Sequence, residues 1–258
     1  MDNTQQLQSQ GQQAADLPAI YPKFEDEFIL ACQKAGELQL ADNVEHVFEA
    51  AAVVNTLRDL LTQDVVEKYF MPLMGTKIGF LTDRDKPKKG RDGSLVPQEP
   101  YPWYVVRDCI IDAATLGLAP IKNQFNIIAG SMYPTKEGFT KLLKSIGCKY
   151  FIYTSEDKNP PQAQTAMIEC RVAYEFKGEK KEFVYKATPK KDGFSSLDQL
   201  KGKAERKAKK CLYEYLTGTD LGDADEDSGT PEFQPQPDDV AAKRQAMREN
   251  RPATDKLL

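Results

Sequence analysis

An α+β fold, with helices packed on an antiparallel β-hairpin or small sheet between disordered ends, is what this sequence predicts. Three observations lead there. Apolar residues recur at helical spacing through the first half of the chain, a strict two-residue alternation takes over between Ala166 and Ala187, and both ends are too poor in apolar residues to bury a core. No strand–helix–strand repeat appears, which argues against a parallel sheet.

Taken in order, Phe24, Phe28, Cys32 and Ala35 recur at helical spacing, as do Val44, Val47, Phe48, Ala51, Leu57 and Leu61, and predict two amphipathic helices. Thr62–Phe70 opens with a capping-type Thr and stops before Pro72, as a short third helix or a bent continuation would. The charged, Gly- and Pro-rich run at 82–102 is expected to be a mobile loop. A helix follows over Trp103–Leu116, with Gly117 placed to end it, and Phe125–Ala129 is a short apolar strand. Thr135 caps a helix whose buried stripe is Phe139, Leu142, Leu143 and Ile146, closed by Gly147.

The period then changes. Tyr150–Thr154 is expected to be a strand; in the next, Ala166, Ile168, Cys170, Val172, Tyr174 and Phe176 share one face, and Met167, Glu169, Arg171, Ala173 and Glu175 the other. A turn at Lys177, Gly178 and Glu179 leads back through Glu182–Ala187, completing a hairpin. Ser196 and Gln199 form a capping box for a last helix over Leu197–Leu216. Its apolar stripe runs through Leu197, Leu200, Ala204, Ala208, Cys211, Leu212 and Tyr215, with Lys203, Arg206, Lys209 and Lys210 expected to project away from it. The organisation drawn from this is a disordered N-terminal segment at 1–20, a single α+β domain at 21–216, and an acidic, Pro-containing flexible tail at 217–258.

The formal charge is −4 over 258 residues, but it is segregated: acids crowd the stretch from Asp220 to Asp239, and Lys and Arg dominate from Lys136 to Lys210. The local field governs binding, so the middle of the chain can attract a polyanion although the whole is acidic. A solvated lysine surface accounts for the same bias. The single histidine, His46, leaves no His-dependent triad or His-rich metal site, and the five scattered cysteines with no CxxC pair read as buried free thiols. No membrane span or secretory signal is visible, so a cytoplasmic protein is expected. No phosphate-binding GxxxxGK[ST] loop, GxSxG, HExxH or HRD signature occurs, so no cofactor is expected and binding alone must supply the energy.

The stretch Ala113–Lys144 resembles the central block of the RecT/Redβ family of phage-type annealing recombinases. It has a helix ending in Leu116-Gly117-Leu118 and Pro120, an apolar strand over Asn126–Ala129, and a helix entered through Lys136, Gly138 and Phe139. The resemblance implies a Rad52/Redβ-like annealing core and ATP-independent pairing of complementary single-stranded DNA in homologous recombination, inside a bacterial host cell. It also implies no catalytic site, binding to single strands and to annealed duplex, and assembly into a homo-oligomeric ring or helical filament. Mg2+ is left open as an aid to annealing, and a single-strand-binding protein or partner exonuclease as what the C-terminal tail engages.

An annealing protein must neutralise phosphates while leaving base edges free. The candidate phosphate contacts are Lys136, Lys141, Lys144, Arg171, Lys186, Lys190, Lys191, Arg206, Lys207 and Lys210, with Tyr133 and Tyr150 as stacking platforms. The hairpin and the last helix are expected to bring them into one groove. Two alternatives stand beside this reading: a metal-dependent nuclease using acids such as Glu169 and Glu175, and an interaction module that recruits a partner through the acidic tail.

Overall fold

The computed structural model describes residues 22–38, 46–90, 93–191 and 195–222. The expectations for segment 1–20 and for the tail beyond 222 lie outside these residues. The fold is mixed α+β, and its contacts divide the chain into two compact units, Met1–Pro72 with Pro102–Gly117, and Leu73–Tyr101 with Leu118–Leu258.

The first unit is helical: α1 (Pro22–Leu38), α2 (Val47–Leu60), a single turn α3 (Gln63–Val65) and α4 (Trp103–Thr115). Thr62 accepts the Val65 N–H through its hydroxyl, as its capping chemistry predicts, and Val66–Phe70 continues as one π-helical turn. Ala31, Ala35, Leu57, Leu61, Val66, Val106, Ile110 and Ala113 are buried. Phe28 stacks on Phe24 at 5.9 Å and tilts against Phe70 at 5.7 Å.

The apolar stripe expected of α2 needs correction. Val47 and Phe48 are 57% and 84% exposed, whereas Leu57 is fully buried. They occupy the first turn, ahead of the apolar set Ala50, Val53, Val54 and Leu57, whose i, i+3, i+4, i+7 spacing defines the inward face.

The second unit holds the strands. β1 (Leu81–Thr82) runs parallel to β4 (Phe125–Ile128), which pairs antiparallel with β5 (Ser131–Pro134); β2 (Lys88–Lys89) and β3 (Leu95–Val96) form a small ladder. Ala129 and Gly130, at φ 52° and 82°, make the two-residue turn between β4 and β5. Alanine adopts this left-handed conformation at a cost of about 1–2 kcal/mol. The turn is held from outside: the Asp83 carboxylate accepts the Ala129 N–H at 3.1 Å, and the Tyr101 hydroxyl accepts the Gly130 N–H at 2.9 Å while donating to Asp83 at 2.9 Å. The same contacts tie down the base of the 82–102 segment, expected to be mobile, with Arg84 lying 4.0 Å over the Tyr101 ring.

Next comes α5 (Lys136–Ser145), capped by Thr135 as expected and burying Phe139, Leu142 and Leu143. Gly138 in its first turn has a steric reason: a Cβ there would lie 2.0 Å from the Gln124 carbonyl oxygen. β6 (Lys149–Thr154), β7 (Ile168–Phe176) and β8 (Glu179–Ala187) form an antiparallel sheet in that order, β7 and β8 joined through Lys177 and Gly178 at φ 51° and 83°. α6 (Leu197–Thr217) starts with the full Ser196/Gln199 capping box.

The alternation read in β7 is observed: Ile168, Cys170, Val172 and Tyr174 are buried, as are Phe183, Tyr185 and Ala187 of β8. That face packs against α6, which also lies along α5. The opposite face carries Lys149, Phe151 and Tyr153 from β6, Glu169, Arg171, Ala173 and Glu175 from β7, and Lys180, Glu182, Val184 and Lys186 from β8.

Candidate nucleic-acid interface

Successive strand residues point to opposite faces, so the burial of Ile168, Cys170 and Val172 against the helices sends Arg171 outward. The expected single groove therefore does not form. Arg171 and Lys186 stand on the outer face of the sheet, and the lysines of α6 lie on the other side of it.

On that helical side three lysines of α6 are buried, while Lys203 is exposed. Lys207, Lys209 and Lys210 are 7%, 5% and 9% exposed, which corrects the expected phosphate contacts at Lys207 and Lys210 and the expectation that Lys209 projects outward. Lys209 donates to Glu205 at 2.8 Å and to the Thr140 hydroxyl at 3.0 Å, and its ammonium lies 5.5 Å from the centroid of the Tyr150 ring. Lys210 reaches the Gly222 carbonyl and pairs with Glu214 at 3.6 Å. The physical reason is that a lysine carries a long apolar stem, and Glu205 and Glu214 stand four residues from the ammonium groups they receive. Burial is the largest single influence on Glu205 and opposes its charge, yet the hydrogen bonds and charges of Lys209 and Lys136 together outweigh it and hold its pKa below the usual carboxylate range.

The remaining candidates are spread around the unit. Lys136 pairs with Glu205 at 3.4 Å. Lys141 and Lys144 are exposed on α5, and Arg206 is half-buried on α6. Lys190 is exposed, while Lys191 is bound to Asp157 at 2.6 Å and to the Pro160 carbonyl at 3.0 Å. Tyr133 is half-buried on β5, in the other sheet. Tyr150 points to the helical side, its hydroxyl donating to Thr140 at 3.2 Å, so its ring is already occupied and is not an open platform.

The reading of the sequence missed two aromatics. Phe151 and Tyr153 are 70% and 64% exposed on the outer face, two residues apart on one strand, with Phe151 opposite Ala173 and Tyr153 opposite Arg171. In Lys149–Thr154 both alternating sets contain aromatic or apolar residues, so the strand alone does not say which set is buried. Its register with β7 decides: Tyr150 pairs with buried Tyr174, and Phe151 and Tyr153 are left outside. Around the aromatics, Lys149 lies 3.5 Å from Glu175 and Arg171 lies 3.5 Å from Glu182, all exposed pairs except for the half-buried Glu175. Lys149, Phe151, Ala173, Glu175, Lys180 and Glu182 help to line an open concavity of about 490 Å3 on this face.

Glu169 is bound by Lys158 at 2.5 Å, and the Lys158 hydrogen bond, ahead of the opposing burial, lowers its pKa. None of the five cysteines forms a disulfide; Cys109, Cys148 and Cys170 are buried, and Cys32 and Cys211 are half-buried. Burial, reinforced by nearby carboxylates, pushes the Cys109 and Cys170 thiols up to about 12 and Cys211 up to about 11. No family model, no curated protein and no solved structure matches this chain.

Proposed function

We propose that this chain binds single-stranded DNA and anneals complementary strands without ATP, on a Rad52/Redβ-like core and as an assembly of several copies. The observation that carries the reading is the outer face of β6–β8. Two exposed aromatic rings stand at alternate positions of one strand, with Arg171 and Lys149 beside them and Lys180 and Lys186 across the sheet. Rings of this kind stack unpaired bases whatever their sequence, and neighbouring cations track the phosphates. Phe151 and Tyr153 are separated by two residues of strand, about 6.7 Å, roughly twice the step of a stacked duplex, which suits an extended single strand. Stacking uses the faces of bases and leaves their pairing edges open to a second strand.

The resemblance over Ala113–Lys144 supports the same reading, and Gly138 within it meets a steric need. The outer face offers one protomer only a short footprint, so useful pairing calls for copies side by side. The test mixes labelled complementary strands with the protein in the absence of ATP, with and without Mg2+. Faster duplex formation with intact strands, lost in the Phe151→Ala, Tyr153→Ala double variant, is the expected outcome. Shortened strands would indicate a nuclease, and no binding to single strands would indicate an interaction module.

A further inference from the structure

The outer face of β6–β8 is not uniformly basic, and its carboxylates carry an inference that rests on the single-strand reading above. Across the three strands, Phe151, Ala173 and Glu182 stand in register on one row. Ala173 is the smallest side chain of the β7 outer set and forms a low floor between an exposed ring and a carboxylate. Adjacent strands are about 4.8 Å apart, so the ends of the row are separated by about 10 Å. A planar base seated against Phe151 over Ala173 spans that gap and brings one edge to Glu182. Lys149 and Lys180 border the same concavity from this face and supply positive charge for the flanking phosphates.

We infer that this concavity is a base-reading subsite in which Glu182 favours bases with an exocyclic amine on the major-groove edge, cytosine and adenine, over thymine. An ionised carboxylate only accepts hydrogen bonds. Its tie to Arg171 is a long one at 3.5 Å on an exposed pair, and a carboxylate has about four lone-pair sites, so Glu182 keeps the capacity to accept from a ligand. Cytosine N4 and adenine N6 each present a donor on the edge away from the pairing partner, where thymine presents only the O4 acceptor and a methyl group. Reading that second amine hydrogen leaves the first for Watson–Crick pairing, so selectivity and annealing are compatible.

The experiment compares oligo(dC) and oligo(dT) of one length at neutral pH. Both are pyrimidines of similar size, and comparing the ratio between parent and variant cancels any difference in their self-stacking. Fluorescence anisotropy titrations are run on the full chain and on its Glu182→Gln variant, whose amide can either donate or accept. The expected result is oligo(dC) binding about fivefold to tenfold tighter than oligo(dT), the ratio falling to within about twofold of one in the variant. Circular dichroism melting of the variant should match the parent, since an exposed ion pair contributes little. Equal affinities for the two oligonucleotides in the parent chain, or a ratio that survives in Glu182→Gln, would overturn the inference and leave single-strand binding intact. Failure of both oligonucleotides to bind would instead defeat the underlying reading.

Discussion

The two faces of the β6–β8 sheet use the same residue types for opposite purposes. On the helical face, Lys207, Lys209 and Lys210 lie at 5–9% exposure, with Lys209 and Lys210 tied to Glu205 and Glu214, and Tyr150 is held between Thr140 and Lys209. On the outer face, Arg171 has a 69% exposed side chain, and Phe151 and Tyr153 are uncovered. Counting basic and aromatic residues along the chain therefore does not say which face leaves them open. The open rings lie on β6, and the buried lysines on α6.

The largest effect expected is from removing the open rings. Phe151→Ala and Tyr153→Ala should each weaken single-strand binding by about 1–3 kcal/mol, read as Kd at fixed salt, with an unchanged melting curve. Tyr150→Phe, on the other face, should leave affinity unchanged; an equal loss there would erase the distinction between the faces. Next in size, Lys209→Ala should lower unfolding stability by about 2 kcal/mol in urea titrations, because it strips the half-buried Glu205 of its nearest cation. It should leave the salt dependence of DNA binding alone. Arg171→Gln should do the reverse, with stability nearly constant and the slope of log affinity against log salt shallower by about 0.7.

The smallest effect is a pH dependence. Glu205, Glu169 and Asp157 all have folded pKa values held below their ordinary values of 4.5, 4.5 and 3.8. Their contribution to stability is complete above those ordinary values and is lost as pH falls through the lower, folded ones. Chemical denaturation followed from pH 6 downward should show stability declining only in the acid range. In Lys209→Ala the share belonging to Glu205 should shrink, and a decline identical to that of the parent would contradict the pairing.

Much of this architecture is legible in the sequence where local chemistry decides it. The Ser196/Gln199 box, the Thr135 cap and the alternation of Ile168, Cys170, Val172 and Tyr174 each specify their element without help from the rest of the chain. β1 escapes such reading because it is two residues long and its partner, β4, lies more than 40 residues away. The candidate site was less legible for a related reason. Which set of residues β6 buries depends on pairing Tyr150 with Tyr174, and the fate of Lys209 depends on Thr140 in a different helix. Both are long-range contacts that neither helical spacing nor strand alternation can express.

Gly138 and Gly79 have a consequence for how far this sequence can drift. An added methyl at either position would drive into a backbone oxygen, that of Gln124 at 2.0 Å or of Leu73 at 2.1 Å, and a peptide group cannot rotate aside as a side-chain tip can. Surface lysines may be exchanged freely over evolutionary time, but these two positions admit no side chain unless the backbone that carries the facing oxygen shifts. Distant kin of this chain should therefore be recognisable by where they forbid a side chain, long after the charged residues have been reshuffled.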